Sequence, residues 1–153
     1  MSQDIIDIHS KGEYPANQLS NFYPHSFVLD GINCQSMEGF LQSLKYKNVE
    51  KQRKICLLSG KEAKTAGKRR FLWKITGRVH WNYKAYFRDS QEFEELIKIA
   101  YTQMYNQNED FKKALASTIG KTLTHDIGKT RKRETILTIK EYIDCLNMLR
   151  ENL

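Results

Sequence analysis

Between Leu19 and Lys47 the chain reads LSNFYPHSFVLDGINCQSMEGFLQSLKYK, a stretch that leaves few folds open because a tight hairpin runs directly into an amphipathic helix. Asp30-Gly31 stands between two strand-like runs, Ser26 to Leu29 and Ile32 to Gln35. Asp-Gly supplies the positive φ angles of a two-residue hairpin turn. Ser36 reads as a helix N-cap, and Met37, Phe40, Leu41 and Leu44 then recur at the spacing of one apolar helix face. At about 100° per residue, Glu38, Gln42 and Lys45 fall within an arc of roughly 60° on the other face, so an acid, an amide and an amine point the same way. Glu38 also lies in the first turn, where the helix dipole favours its ionised form. The same spacing describes an ordinary solvated face, so it does not establish a site on its own.

Most of the remaining chain reads as helix. Val49 to Leu58 is a candidate, followed by Ser59-Gly60-Lys61-Glu62 in the form of a capping box, with Gly67 placed to close that short helix. Asp89 or Ser90 starts a longer helix with Phe93, Leu96, Ile97, Ala100 and Met104 inward. Asn108 can cap another, with Phe111, Ala114 and Leu115 inward, and Thr138 to Glu141 forms a second capping box ahead of Tyr142, Leu146 and Leu149. A short strand is expected at Asp4 to Ile8. These elements predict a mainly α-helical α+β fold with a small antiparallel sheet or hairpin near the N-terminus, in one domain spanning residues 1–153.

Several function classes fall away. There is no 18-residue apolar run for a membrane span, and MSQDIIDIHS is acidic and short of apolar length for a leader, so the expected location is the cytoplasm with no membrane partner. Cys34, Cys56 and Cys145 are widely separated thiols without zinc spacing, which fits a reducing compartment and buried packing. Neither they nor His9, His25, His80 and His125 form a metal-ligand pattern, so no metal or other cofactor is expected. Gly-Lys-Thr occurs at Gly120 and Gly128, yet Leu115 and Leu123 stand where a phosphate loop needs its first glycine, so these glycines mark turns.

Charge is concentrated. The chain carries +7 overall, while Lys51 to Arg78 holds ten Lys or Arg against one acid, Glu62. Lys68, Arg69 and Arg70 follow Gly67 with Phe71 and Trp73 interleaved, a pattern suited to phosphate contacts beside a stacking surface. Lys129, Arg131, Lys132 and Arg133 form a second cluster. With a pI near 9.3, a phosphorylated ligand or a nucleic acid is the expected partner class.

Asn21-Phe22, then Gly31, Ser36-x-Glu38 and Phe40-x-Gln42-x-x-Lys45 resemble the motifs of the NADAR superfamily, the YbiA-like N-glycosidases. The likeness extends through Gly67, Trp81, Met104, Leu115-x-x-Thr118 and Leu146-x-x-Leu149-Arg150. Two departures stand out: Gly39 occupies the position where many members have histidine, and Thr124 to Lys129 lacks the family's Trp-Gly-x-Gly element.

The resemblance implies a YbiA-like domain that hydrolyses a ribose C1–N bond, in ADP-ribose attached to guanine or in phosphorylated riboflavin-pathway intermediates. Charge points toward ADP-ribosylated guanine in DNA or RNA. A non-catalytic basic module that binds nucleic acid or ADP-ribose is the alternative of another class. On the enzymatic reading Glu38 is the catalytic carboxylate, and Lys45 is either an electrostatic contact or a Schiff-base nucleophile. Asp126 stands as counterpart of the family's second carboxylate. Asn21, Phe22, Gln42, Lys68, Arg69, Arg70 and Trp81 are the expected substrate contacts, with Trp81 as the pocket aromatic. Oligomeric state has no signature in the sequence.

Overall fold

In a computed structural model the described residues are 4–153; Met1 to Gln3, the start of the segment read for a leader, lie outside them. The chain opens on β1 (Ile5–Asp7) and the one-turn α1 (Ala16–Leu19). The first hairpin forms as its Asp-Gly pair dictates: β2 (Phe27–Leu29) and β3 (Ile32–Cys34) run antiparallel with Leu29 opposite Ile32. Asp30 and Gly31 both take positive φ, 51° and 76°. In α2 (Met37–Ser43), the Ser36 hydroxyl accepts from the Gly39 N–H at 3.1 Å, and Met37, Phe40, Leu41 and Leu44 are buried as the helical period requires.

Helices α3 (Val49–Cys56), α4 (Gly60–Lys68) and α5 (Leu72–Thr76) follow. Two local expectations are corrected here. Ser59 makes no capping bond, because Gly60 takes φ 56° where a capping box needs a helical first residue. Gly67 lies inside α4 rather than closing it, for a packing reason given below.

A second hairpin joins β4 (Arg78–Trp81) to β5 (Lys84–Phe87) through Asn82 and Tyr83, which adopt positive φ without a glycine. Then come α6 (Gln91–Gln107), α7 (Glu109–Ala116), β6 (Thr122–Thr124) and α8 (Ile139–Arg150). Ser90 caps α6, and Thr138 with Glu141 closes the expected capping box of α8. Asn108 supplies no side-chain cap to α7. Its amide donates instead to the carbonyls of Ser26 and Met104, tying the α6–α7 junction to the first hairpin. Among the described residues the architecture is mainly helical α+β with three two-stranded sheets; two are antiparallel, and β1 pairs with β6 in parallel.

One apolar cluster holds these elements, with Phe40, Trp81, Phe93, Tyr101, Phe111, Tyr142 and Leu146 among its members. Cys34, Cys56 and Cys145 are free, buried thiols. Arg88, at the end of β5, grips Glu141 of α8 with two bonds of 3.0 and 2.5 Å and also donates to the Thr135 carbonyl. This buried pair positions the capping box that starts α8. Among the described residues no helix is long and apolar enough to cross a membrane.

Candidate active site

Glu38 sits in the first turn of α2, away from the face that enters the core. Its N–H donates to the Asn21 carbonyl at 3.0 Å, and the Asn21 side-chain oxygen accepts from the Tyr101 hydroxyl at 2.6 Å. The segment before the first hairpin is thereby pinned against both α2 and α6. One turn along α2, Gln42 Nε2 donates to Glu38 Oε2 at 2.6 Å. Two glycines allow this arrangement. A Cβ on Gly67 would lie 1.6 Å from Gln42 Oε1, so only glycine lets α4 approach the amide. A Cβ on Gly39 would lie 2.5 Å from the Leu58 carbonyl oxygen and 2.9 Å from that of Cys56, which explains why no histidine follows the glutamate here.

Burial raises the Glu38 pKa above the usual carboxylate value, opposed by the Gln42 hydrogen bond and by the charges of Lys45 and Lys64. Burial pushes Lys45 down to about 8; Glu38 opposes this, while Lys74, Lys129 and Lys64 add to it. The Lys45 amine stands 5.7 Å from the centroid of the Trp73 ring, Lys74 stands 5.8 Å from the same ring, and Lys64 stands 6.0 Å from that of Phe22. Lys45, Lys64, Lys74 and Lys129 make no ion pair among the described residues. The Glu38 carboxylate is therefore flanked by Lys45, just past α2, and Lys64 of α4, while Lys74 of α5 and Lys129 of the loop before α8 act with Lys64 on the Lys45 amine. Beneath it lie Tyr101 and Tyr142, whose phenols are held neutral mainly by burial, with the Glu38 charge adding to the effect. Tyr142 donates to the Leu19 carbonyl.

The structure brings Glu38, Gln42, Lys45, Asn21 and Phe22 together. It places other expected residues elsewhere. Trp81 is 2% exposed, packs edge-on against Phe40 at 4.8 Å and donates through Nε1 to Asp30 at 2.7 Å, so it belongs to the core and not to a pocket. The tryptophan beside Lys45 is Trp73. Asp126 is exposed in a turn whose N–H binds Asp7, and it is absent from the charges acting on Glu38 and Lys45. It lines a groove of about 420 Å³ with Thr124, His125, Thr130 and Ile139. Lys68, Arg69 and Arg70 are exposed at the end of α4, and they too contribute nothing to the environment of the Glu38–Lys45 pair.

Lys64 and Lys74 were hidden within a uniformly basic run, where only the fold shows which cations converge. In the second cluster Arg131 pairs with Glu134, and Lys132 with Asp89 and Glu94; Lys129 stands out as the member whose charge acts on Lys45. In the sequence Tyr142 reads only as an inward residue of the last helix, and Tyr101 carries no signal of its own. The later motif positions are structural: Met104, Leu115, Thr118, Leu146 and Leu149 are buried, and Arg150 donates to the carbonyls of Thr118 and Lys121 at 2.8 Å each. Among the described residues no group of three or more His, Cys, Asp or Glu side chains is placed to hold a metal ion.

Comparison with known proteins adds three findings. The family described as bacteriophage protein GP30.3 matches residues 13–151. Over 149 residues the chain is 42% identical to an uncharacterized 17.1 kDa protein of the Gp30-rIII intergenic region of Enterobacteria phage T4, covering 97% of this chain and 98% of that protein. The NMR structure of the E. coli protein YbiA is similar in fold, with a TM-score of 0.64 and 19% identity over 99% of this chain and 86% of that one.

Proposed function

This chain belongs to the bacteriophage GP30.3 family, and from that membership and the YbiA-like fold around Glu38 we propose that it is a NADAR-type N-glycosidase cleaving a ribose C1–N bond. The observation that carries this reading is the desolvated Glu38 carboxylate bound by Gln42 beside an amine whose pKa falls to about 8. Glycosyl cleavage needs a group to protonate the departing nitrogen and a negative charge to meet the cation that develops on the sugar. A carboxyl group with a raised pKa serves first as acid and then as anion.

Two routes use these groups. In the direct route, Glu38 gives its proton to the exocyclic nitrogen, the C1–N bond electrons leave with the base, and water adds to the oxocarbenium carbon while returning a proton to Glu38. In the covalent route the sugar ring opens to an imine, and the neutral Lys45 amine adds to C1. The base departs as its free amine, and water hydrolyses the Lys45 imine to release the sugar aldehyde and regenerate the amine. The depressed Lys45 pKa supports the covalent route, since only the neutral amine is nucleophilic.

The ring of Lys64, Lys74 and Lys129 supports a substrate with more than one phosphate, which favours ADP-ribose on guanine over a ribosylaminopyrimidine monophosphate. The test is a turnover panel comparing ADP-ribosylated guanosine with a ribosylaminopyrimidine phosphate, read by mass spectrometry. Release of guanosine and ADP-ribose is the expected result. Turnover of the pyrimidine alone assigns the alternative substrate. Tight binding without cleavage of either assigns a binding module.

A further inference from the structure

We infer that the corner between α4 and α5 is a binding track for single-stranded nucleic acid that leads into the Glu38 site. As the flank of a modified base, this track rests on the glycosidase reading; as a binding surface it does not. A groove of about 530 Å³ runs along α4, lined by Tyr46, Lys61, Glu62, Thr65, Ala66 and Arg69. Its aromatic wall is fixed, because the Tyr46 hydroxyl donates to the Ala66 carbonyl at 2.7 Å. The Arg70 guanidinium lies over the same ring, 4.7 Å from its centroid. Phe71 follows directly and is 64% exposed, a large apolar ring that buries nothing of its own in the core.

The groove and the Glu38 site adjoin at two points. Tyr46 is the neighbour of Lys45, and Trp73, which carries Lys45 and Lys74 on its ring, is two residues beyond Phe71. Exposed cations at Lys61, Lys68, Arg69 and Arg70 outnumber the one carboxylate of the groove, Glu62. Arginine and lysine beside exposed aromatic rings match an unpaired strand, which offers phosphates at regular spacing and bases free to stack. A duplex buries its base faces and leaves Phe71 without a partner. Charge complementarity selects a polyanion, and the exposed ring selects an unstacked one.

The experiment is a fluorescence-anisotropy titration of a labelled dT12 strand and of a duplex of equal length, across a salt series, with wild type, Arg69→Glu/Arg70→Glu and Phe71→Ala. Four phosphate contacts on a single strand give a log–log salt slope of about −3. The double variant should bind dT12 at least tenfold more weakly with a slope shallower by about 1.4, and Phe71→Ala about fivefold more weakly with the slope unchanged. The duplex should bind wild type more weakly than the strand. Thermal melting of each variant checks the fold, and Phe71→Ala tests the track without any charge reversal. Unchanged affinity in both variants, or equal affinity for duplex and strand, overturns the proposal. Because dT12 carries no modified base, its binding is read independently of wild-type turnover on ADP-ribosylated guanosine, so either claim can fail alone.

Discussion

Gln42 divides its amide between two neighbours: Nε2 donates to Glu38 at 2.6 Å, while Oε1 lies 1.6 Å from the point that a Cβ on Gly67 would occupy. The glycine in α4 thus sets the orientation of the carboxylate in α2 through a third side chain. Helix packing and site geometry are one feature here, and they stand or fall together.

Gly67→Ala tests this directly. In an exposed helix that change is worth about 1 kcal/mol of stabilisation. At this position the methyl group must expel Gln42, so the variant should melt below wild type and lose at least about tenfold in turnover, since misplacing a catalytic group has effects of that order. Gln42→Ala in the same background should recover only part of the lost melting temperature, since the Cβ of residue 42 still lies 2.9 Å from the new methyl group, and should not restore turnover. A stabilised and active Gly67→Ala protein would show that the amide has another place to go.

Lys45 should govern the pH profile. Its amine is protonated below about pH 8, so on the covalent route turnover rises with pH and levels off above that value. Borohydride added during turnover should fix the sugar to Lys45, visible by peptide mass spectrometry, and no adduct from an active enzyme would exclude that route. Stability also rises with pH, but in a higher window. Because the folded pKa lies below the ordinary 10.5, the folded chain binds fewer protons than the unfolded one, and stability rises as pH increases from about 8 toward 10.5. Lys45→Met should therefore raise stability at pH 7, by about 1–2 kcal/mol after allowance for partial exposure. That advantage should narrow in urea titrations from pH 8 upward.

Arg88→Met should act on the fold alone. It leaves Glu141 buried without its cation at the start of α8, a loss typically of about 3–5 kcal/mol. Urea unfolding should show a lower midpoint, while turnover per folded molecule stays near wild type. A large loss of turnover in molecules that remain folded would tie Arg88 to the site instead.

The first hairpin, the Ser36 cap, the α2 stripe and both long C-terminal helices were legible because each rests on residues close in sequence. The parallel pairing of β1 with β6 was not, since it joins distant segments that carry no local signal. The Asn82-Tyr83 turn lacks the glycine that marks most such hairpins. Trp81, in the core, and Trp73, beside Lys45, show the same limit. Both are buried tryptophans in aromatic or basic surroundings, and only the strand register that sends Trp81 to Phe40 and the α5 packing that brings Trp73 to Lys45 tell them apart. Gly67 was legible as important yet misread as a helix end, because its cause is a contact with another helix.

The central claim is that Glu38 is the catalytic carboxylate, and Glu38→Gln tests it most directly. The amide keeps the shape and can still accept from Gln42, while the charge disappears. The folded Glu38 pKa is raised, so the stability associated with its proton is complete below the unfolded value near 4.5 and is lost as pH climbs through the folded value. Measured together at pH 7, single-turnover cleavage of ADP-ribosylated guanosine should fall at least about 10²-fold while the urea midpoint rises above wild type. Cleavage at the wild-type rate, in a variant whose fold and stability are intact, would contradict the account.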